Sequence, residues 1–312
     1  MRIVDFHSHF FSRVFFDTLT DLSPHPGDRD AKLRPVLEKT GIELPSDELS
    51  NHVARWIAEL DRHGVEKLVS FASLPEEAPA LAQAGALSGG RITPMALVHP
   101  MLEGAAGRVR TLLSEHGFRG VLTFPAMHHY HLGDDGAQDV LAEVSAARGV
   151  VYVHCGMLVI KLRDLLGLPR NYDMRYANPL DVLPAANAFP EARFVIPHFG
   201  AGFLRETLML GAQASNVYVD TSSSNGWIQT QPDIGGLGEV FRRALDIFGP
   251  ERILFGTDSG PFPAGWRRDR FDAQRGLLDE LGVSEHDQEA IFAGNAERLL
   301  AAEDSEARIG LP

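Results

Sequence analysis

The chain has 312 residues, 44% hydrophobic and 23% charged, an ordinary soluble composition with room for two domains or one large barrel. Its formal net charge of −13 argues against nucleic-acid or anionic-membrane partners, both of which need basic surface. The single cysteine, Cys155, excludes an intrachain disulfide framework and any cysteine-rich zinc module, and no apolar run approaches the roughly 20 residues of a membrane span.

The opening stretch MRIVDFHSHFF does not read as a signal peptide, so the expected compartment is the cytoplasm. No fixed-period repeat is present; what recurs is a short β-branched apolar run, a polar residue at its end, and a helical stretch. The runs fall at 3–6, 65–71, 92–98, 118–124, 150–154, 193–198, 216–221 and 252–257. Helices are predicted near 47–63, 76–88, 103–116, 136–148, 179–188, 203–213, 235–248 and 268–281, with a further one over about 285–301. Asn178 before Pro179 and Asp181 reads as a capped helix start, and Ser284 as the cap of the last helix. Gly64, Gly117 and Gly149 stand where helix C-caps belong.

Eight strands alternating with helices imply parallel pairing. An open doubly wound sheet is the alternative. The count of eight and the polar strand ends favour a (β/α)8 TIM barrel, one domain over 1–302, with a frayed polar tail at 303–312. Three long connections, 10–46, 156–177 and 222–233, all follow strand C-termini. They read as lids over the catalytic face, or else as surface decoration.

His7 and His9 are two apart on a strand and share a face, which makes a common half-site for a metal. Asp5 continues that spacing and is expected to join the metal shell or to orient one of the histidines. His154, His198 and Asp258 each end a buried run. Any one of them alone reads as a bonded core residue, but in a barrel all converge on one mouth, and together they point to a metal site. Cys155 should point to the other face as a buried, inert thiol. His128, His129 and His131 follow strand four and are candidates for substrate contact or, less well, a second metal; His25, His52, His63, His116 and His286 read as surface.

The order Asp5-x-His7-x-His9, His154, His198-x-Gly200 and Gly256-Thr257-Asp258 resembles the amidohydrolase superfamily. It is most similar to the amidohydrolase-2 branch, which includes hydrolases and relatives of aminocarboxymuconate-semialdehyde decarboxylase. The stretches 60–65, 117–121 and 294–300 agree in kind, so the resemblance runs from residue 1 to about 301. It implies that His7, His9, His154 and Asp258 are metal ligands. It further implies that His198 holds and deprotonates a metal-activated water and that Asp258 also shuttles a proton to the leaving group. Binuclear relatives carry a bridging lysine at the end of strand four; here 120–124 reads Gly-Val-Leu-Thr-Phe, so one ion is expected. Zn²⁺ is the first choice on ligand type, and Mn²⁺ also suits three histidines and an aspartate.

The implied activity is a metal-dependent hydrolase acting on a small carboxylate-bearing substrate. The same ligands serve a non-oxidative decarboxylase of an unsaturated or aromatic acid, the first alternative; a non-catalytic metal-binding barrel is the second, although no ligand is missing. Lid 156–177 carries Lys161, Arg163, Arg170 and Arg175 against Asp164 and Asp173, which suggests an anionic substrate unless the charges are incidental. Arg170 and Arg175 are the candidate carboxylate clamps, with Arg13, Lys32 and Arg34 as rivals, and Tyr172 and Trp227 as stacking faces. The expected partner is a small molecule, with homo-oligomerisation left open.

Overall fold

Runs such as Val150-Val-Tyr-Val are apolar at every position because both faces of a parallel sheet are covered. The computed structural model, which describes residues 1–223 and 225–301, bears this out. The elements in chain order are β1 Val4–His9, α1 Arg13–Leu22, α2 Arg29–Thr40, α3 Leu49–His63, β2 Lys67–Phe71, α4 Ala78–Leu87, β3 Ile92–Val98, α5 Ala105–Glu115, β4 Gly120–Thr123, α6 Pro125–His128, α7 Asp135–Ala146 and β5 Val150–Val153. They continue with α8 Lys161–Leu165, α9 Val182–Ala188, β6 Arg193–Ile196, α10 Leu204–Gln213, β7 Val217–Asp220, α11 Leu237–Phe248, β8 Ile253–Leu254, α12 Arg268–Glu280, α13 Glu285–Glu289 and α14 Asn295–Leu300. The expected tail at 303–312 lies outside the described residues.

All eight strands pair in parallel in sequence order. The segment after β8 closes the sheet on β1: Phe6 N–H donates to Phe255 O at 2.9 Å, Asp258 N–H to His7 O at 2.8 Å and His9 N–H to Ser259 O at 2.8 Å. This is the expected (β/α)8 barrel. Side chains alternate between a core inside the barrel (Phe71, Leu122, Tyr152, Val195) and one between barrel and helices (Val121, Val151, Phe194, Val219). Fully burying a side chain of this kind stabilises by about 1.5–3 kcal/mol, so both layers hold the strand ends in place.

Several local expectations change. Connection 10–46 is not a plain loop: it folds into α1 and α2, with Asp28 capping α2 by accepting from Ala31 N–H at 2.9 Å. Pro24, Pro26 and Pro35 hid these helices in the sequence, although α2 accommodates Pro35 in its interior. Phe15, Phe16, Leu19 and Val36 pack there on Leu166 and Leu168, so two of the three long connections form one body over the mouth. The last predicted helix is interrupted by a wide turn over Ala290–Gly294. Asn178 and Ser284 cap as expected, but Asp181 does not reach back; it accepts from Leu132 N–H at 2.9 Å instead. Before Gly149 it is Arg148 that takes the left-handed conformation. No described helix is long and apolar enough to cross a membrane.

Candidate metal centre

The barrel mouth is built from strand ends. β1 shifts register against β2 between Asp5 and Ser8, so that Phe6 and His7 together face one residue of β2. The bulge changes which residues look inward. Val4 and Phe6 belong to the inner core, and the His7 ring still packs inside, on Phe71 at 4.8 Å and Tyr152 at 5.5 Å between ring centroids. Asp5 is therefore not on the face of His7. Its carboxylate accepts from His7 N–H (3.0 Å), Thr257 N–H (3.2 Å), Trp266 Nε1 (2.8 Å) and the Thr257 hydroxyl. Asp5 thus fastens β1 to the segment after β8 and touches no imidazole. Burial pushes its carboxyl up to about 6, against those hydrogen bonds.

The orienting role expected of Asp5 belongs to Asp220, at the end of β7. His7 Nδ1 lies 2.7 Å from Asp220 Oδ2, both side chains being buried. The other oxygen of Asp220 accepts from His198 N–H (2.9 Å), Ser222 N–H (3.0 Å) and the Ser222 hydroxyl. Burial alone would raise this carboxyl, but the adjacent His7 ring overcomes it and holds the group at about 2. Conversely, Asp220 raises His7 above the usual imidazole value against the effect of burial. The available signal was the acidic end of the run Val217-Tyr-Val-Asp220, the same signal that picked out Asp258.

The three histidines share one arrangement. His9 Nδ1 lies 2.8 Å from Ser73 Oγ. His154 Nδ1 lies 3.3 Å from Tyr172 Oη, whose own proton goes to the Gly156 carbonyl at 2.7 Å, leaving the phenol oxygen to accept. With Nδ1 of His7, His9 and His154 each engaged, a neutral ring keeps its lone pair on Nε2. His7 Nε2 and His9 Nε2 lie 3.8 and 3.4 Å from Asp258 Oδ1. His154 Nε2 is buried and has no hydrogen-bond partner among the described residues. An unpaired buried acceptor costs about 1–3 kcal/mol, so a group that occupies this lone pair is favoured there. Donor atoms of His7, His9 and Asp258 lie close enough together to hold a divalent cation, those of His7, His198 and Asp220 form a second such group, and the bare Nε2 of His154 is a further donor at the same mouth, so the residues present fit one.

His198 stands beside this set, its ring centroid 4.8 Å from that of His7 and 5.4 Å from that of His154. Its Nδ1 is held by Ser222 Oγ at 2.8 Å. Burial, then the neighbouring His7, lowers it to about 4, and burial and His198 lower His154 well below the usual imidazole value; both shifts favour the neutral ring. Asp258 is kept ionised against burial by His9, His198 and His7. His198 and Asp258 both adopt left-handed backbone conformations, φ 58° and 55°. Such conformations cost about 1–3 kcal/mol each and survive only where neighbours impose them, here the N–H bonds to Asp220 and to the His7 carbonyl.

Of the expected substrate contacts, Tyr172 reaches the cluster, through His154. Arg170 and Arg175 do not. Each is bidentate to a nearby carboxylate, Asp164 and Asp173, with 71% and 86% of the side chain exposed. Trp227 is not an open stacking face either: it is buried in the outer core, with Nε1 bonded to Asn225 at 3.1 Å. His128 stacks on His99, centroids 4.1 Å apart, while His129 and His131 bond to Asn171 O and Asp181; none of these three belongs to a group of metal-ligating side chains among the described residues. His52, expected at the surface, is buried with Nε2 3.0 Å from Phe10 O. Cys155 is buried, and its thiol is raised by that burial, as expected of an inert group. Beside the cluster, over the ends of β2 to β5, lies a cavity of about 280 Å³ bordered by Ser73, Leu97, His128, Arg163, Arg170 and Tyr172.

Comparison with known proteins agrees with this architecture. A stretch of 130 residues is 28% identical to 2-keto-4-carboxy-3-hexenedioate hydratase of Sphingobium sp. (strain NBRC 103272 / SYK-6); it covers 38% of this chain and only 36% of that relative. The 5-carboxyvanillate decarboxylase LigW from Sphingomonas paucimobilis superposes with a TM-score of 0.65 at 14% identity, covering 96% of this chain and 98% of that one. A probable 2-pyrone-4,6-dicarboxylic acid hydrolase from Acinetobacter baumannii does so with a TM-score of 0.62 at 16% identity, covering 96% and 99%. At these identities the solved structures show a shared fold. The family model described as Amidohydrolase (Amidohydro_2) matches residues 4–301, and the chain therefore belongs to that family, the metal-dependent amidohydrolase-2 enzymes of the amidohydrolase superfamily.

Proposed function

We propose that the protein is a hydrolase acting on a small carboxylate-bearing substrate, with His7, His9, His154 and Asp258 holding one divalent cation. The observation that carries this reading is the buried Nε2 of His154, bare of any partner beside two further imidazoles whose Nδ1 atoms are already engaged. A divalent cation bound there supplies Lewis acidity, polarising a substrate oxygen and making water nucleophilic at neutral pH. His198, neutral and fixed through Nδ1 by Ser222, takes up a proton at Nε2 as water attacks. Asp258, ionised and 3.4 Å from His9, accepts the remaining proton of the attacking water and passes it to the leaving group. Zn²⁺ suits the donors; Mn²⁺ is the ion bound in a similar 5-carboxyvanillate decarboxylase structure from Novosphingobium aromaticivorans.

A second reading, non-oxidative decarboxylation, draws support from the decarboxylases among the similar structures. In that case the same proton-handling residues protonate an unsaturated or aromatic carbon as CO₂ leaves. One experiment separates the two. Metal-loaded protein is incubated with lactones, esters, and aromatic and unsaturated acids, and the products are weighed by mass spectrometry. Gain of water supports hydrolysis, loss of CO₂ supports the lyase reading, and no turnover across the panel counts against both.

A further inference from the structure

The two connections over the metal cluster, 10–46 and 156–177, carry nine cations. Four arginines are neutralised by the chain itself, Lys32 donates to the carbonyls of Thr20 and Ser23, and Arg34, Lys39 and Lys161 are exposed. Arg13 pairs with Asp17 and Asp47, Arg29 with Asp17 and Asp21, Arg170 with Asp164, and Arg175 with Asp173. Arg163 is different. It borders the cavity beside the cluster, is half-buried, and its guanidinium has neither a hydrogen bond nor an ion pair among the described residues. The carboxylate next to it in sequence, Asp164, pairs instead with Arg170, whose Nε and Nη2 lie 2.7 and 2.6 Å from its two oxygens.

The backbone fixes where Arg163 stands. It lies in α8, whose Leu162 and Leu165 pack on the apolar cluster formed with α1 and α2, so the opposite side of that short helix is turned away from the cluster. The Arg163 carbonyl also accepts from Leu168 N–H at 3.0 Å, tying the helix to the segment that leads to Tyr172. The cavity meets the metal cluster through two of its walls: Ser73 bonds His9, and Tyr172 bonds His154. An unpaired guanidinium on an anchored backbone thus borders a cavity whose other walls are apolar or neutral, apart from the Asp164–Arg170 pair. A guanidinium presents a planar fork of donors that matches a carboxylate, and five unspent N–H donors at a pocket wall are poorly used without an anion.

We propose that Arg163 is the residue that binds the substrate's carboxylate, selecting small organic acids whose charged end lies over β2 to β5 while the reacting bond faces His7, His9, His154 and Asp258. This rests on the functional reading above for the reacting end, but not for the charged end. At about 280 Å³ the cavity sits just below the roughly 300–1,000 Å³ usual for ligand pockets, which suits a small acid rather than an extended chain.

The test uses full-length, metal-loaded protein and calorimetric titration with a panel of C4–C8 organic acids, including benzene-1,3-dicarboxylate, each beside its neutral amide. The variants are Arg163→Gln, Arg163→Lys and, as a control for long-range charge, Lys161→Gln on the same helix. Arg163→Gln should weaken binding of the acids about 10- to 100-fold and move the amides less than about 3-fold, with Arg163→Lys in between and Lys161→Gln close to wild type. Metal content and melting temperature are measured for every variant, so a misfolded Arg163→Gln is recognised and Arg163→Lys then decides. Equal losses for acids and amides, an equal effect of Lys161→Gln, or no acid bound by the wild type would each overturn the proposal. Metal retained by His154→Ala would instead sink the metal-site reading and leave the role of Arg163 standing.

Discussion

Asp220 Oδ2 lies 2.7 Å from His7 Nδ1, joining the end of β7 to the end of β1 across the barrel mouth. The pair is buried, and Asp220 also receives the backbone N–H of His198. One carboxylate therefore sets the ring of one site histidine and the backbone of another. Replacing it with asparagine keeps the shape but removes the charge. Asp220→Asn should bind the divalent ion about 10- to 100-fold more weakly, as read by competition with a chelator. Unchanged metal affinity would show that His7 needs no carboxylate behind it.

Metal content separates ligand from proton carrier. Purified protein should hold about one divalent ion per chain by elemental analysis, given the donors of His7, His9 and Asp258 that lie together and the bare Nε2 of His154. His154→Ala should lose ion and turnover together. His198→Ala should keep most of its ion and lose turnover by about 10²–10⁴-fold. A metal-free His198→Ala beside a loaded His154→Ala would reverse the two roles.

Glu77 makes a pH prediction away from the ligands. It is buried, accepts from Ser12 N–H and from Ser73 N–H at 2.7 Å, and burial raises it from 4.5 to about 7. The folded state thus favours the protonated acid. Its contribution is fully present below pH 4.5 and is lost as pH rises from there through 7, up to about 3 kcal/mol in all. Glu77→Gln lacks this titration. Its stability relative to wild type, from denaturant unfolding with excess metal, should therefore rise steadily between pH 5 and about 7 and then level off. A flat difference would mean that Glu77 is ionised in the fold throughout.

Gly156, directly after Cys155, has φ +75°, and a Cβ there would sit 2.3 Å from the carbonyl oxygens of Gly200 and Ala201. Those carbonyls belong to the turn that presents His198, so the clash is with backbone that cannot give way cheaply. Gly156→Ala should destabilise the protein by more than about 1 kcal/mol and lower turnover as well, because it pushes apart the segments carrying His154 and His198. A thermal midpoint and activity like those of the wild type would show that the two segments are looser than their packing implies.

The candidate site was largely legible in the chain because its ligands end apolar strands, and a polar residue closing a buried run is visible in one dimension. His7, His9, His154, His198 and Asp258 all stood out in that way. The lid was less legible. Arg170 and Arg175 carry the same charge as Arg163, and nothing in their spacing shows that Asp164 and Asp173 take up the first two. The helices α1 and α2 escaped notice for a related reason: prolines at 24, 26 and 35 mark a loop by local preference, whereas packing against Leu166 and Leu168 makes them worth forming.

The sequence by itself determined the number of strands, their alternation with helices and the chemistry waiting at their ends, because hydrophobic period and residue type are local properties. Only the tertiary structure decided which groups meet. Asp220 and His7 are 213 residues apart and become partners because closing the barrel brings β7 and β8 round to β1. Asp5 and His7 are two residues apart and part company because a bulge adds one residue to β1 and turns the alternation over. Which side chains share a face follows from hydrogen-bond register between strands, and that is settled by the pairing of the whole sheet.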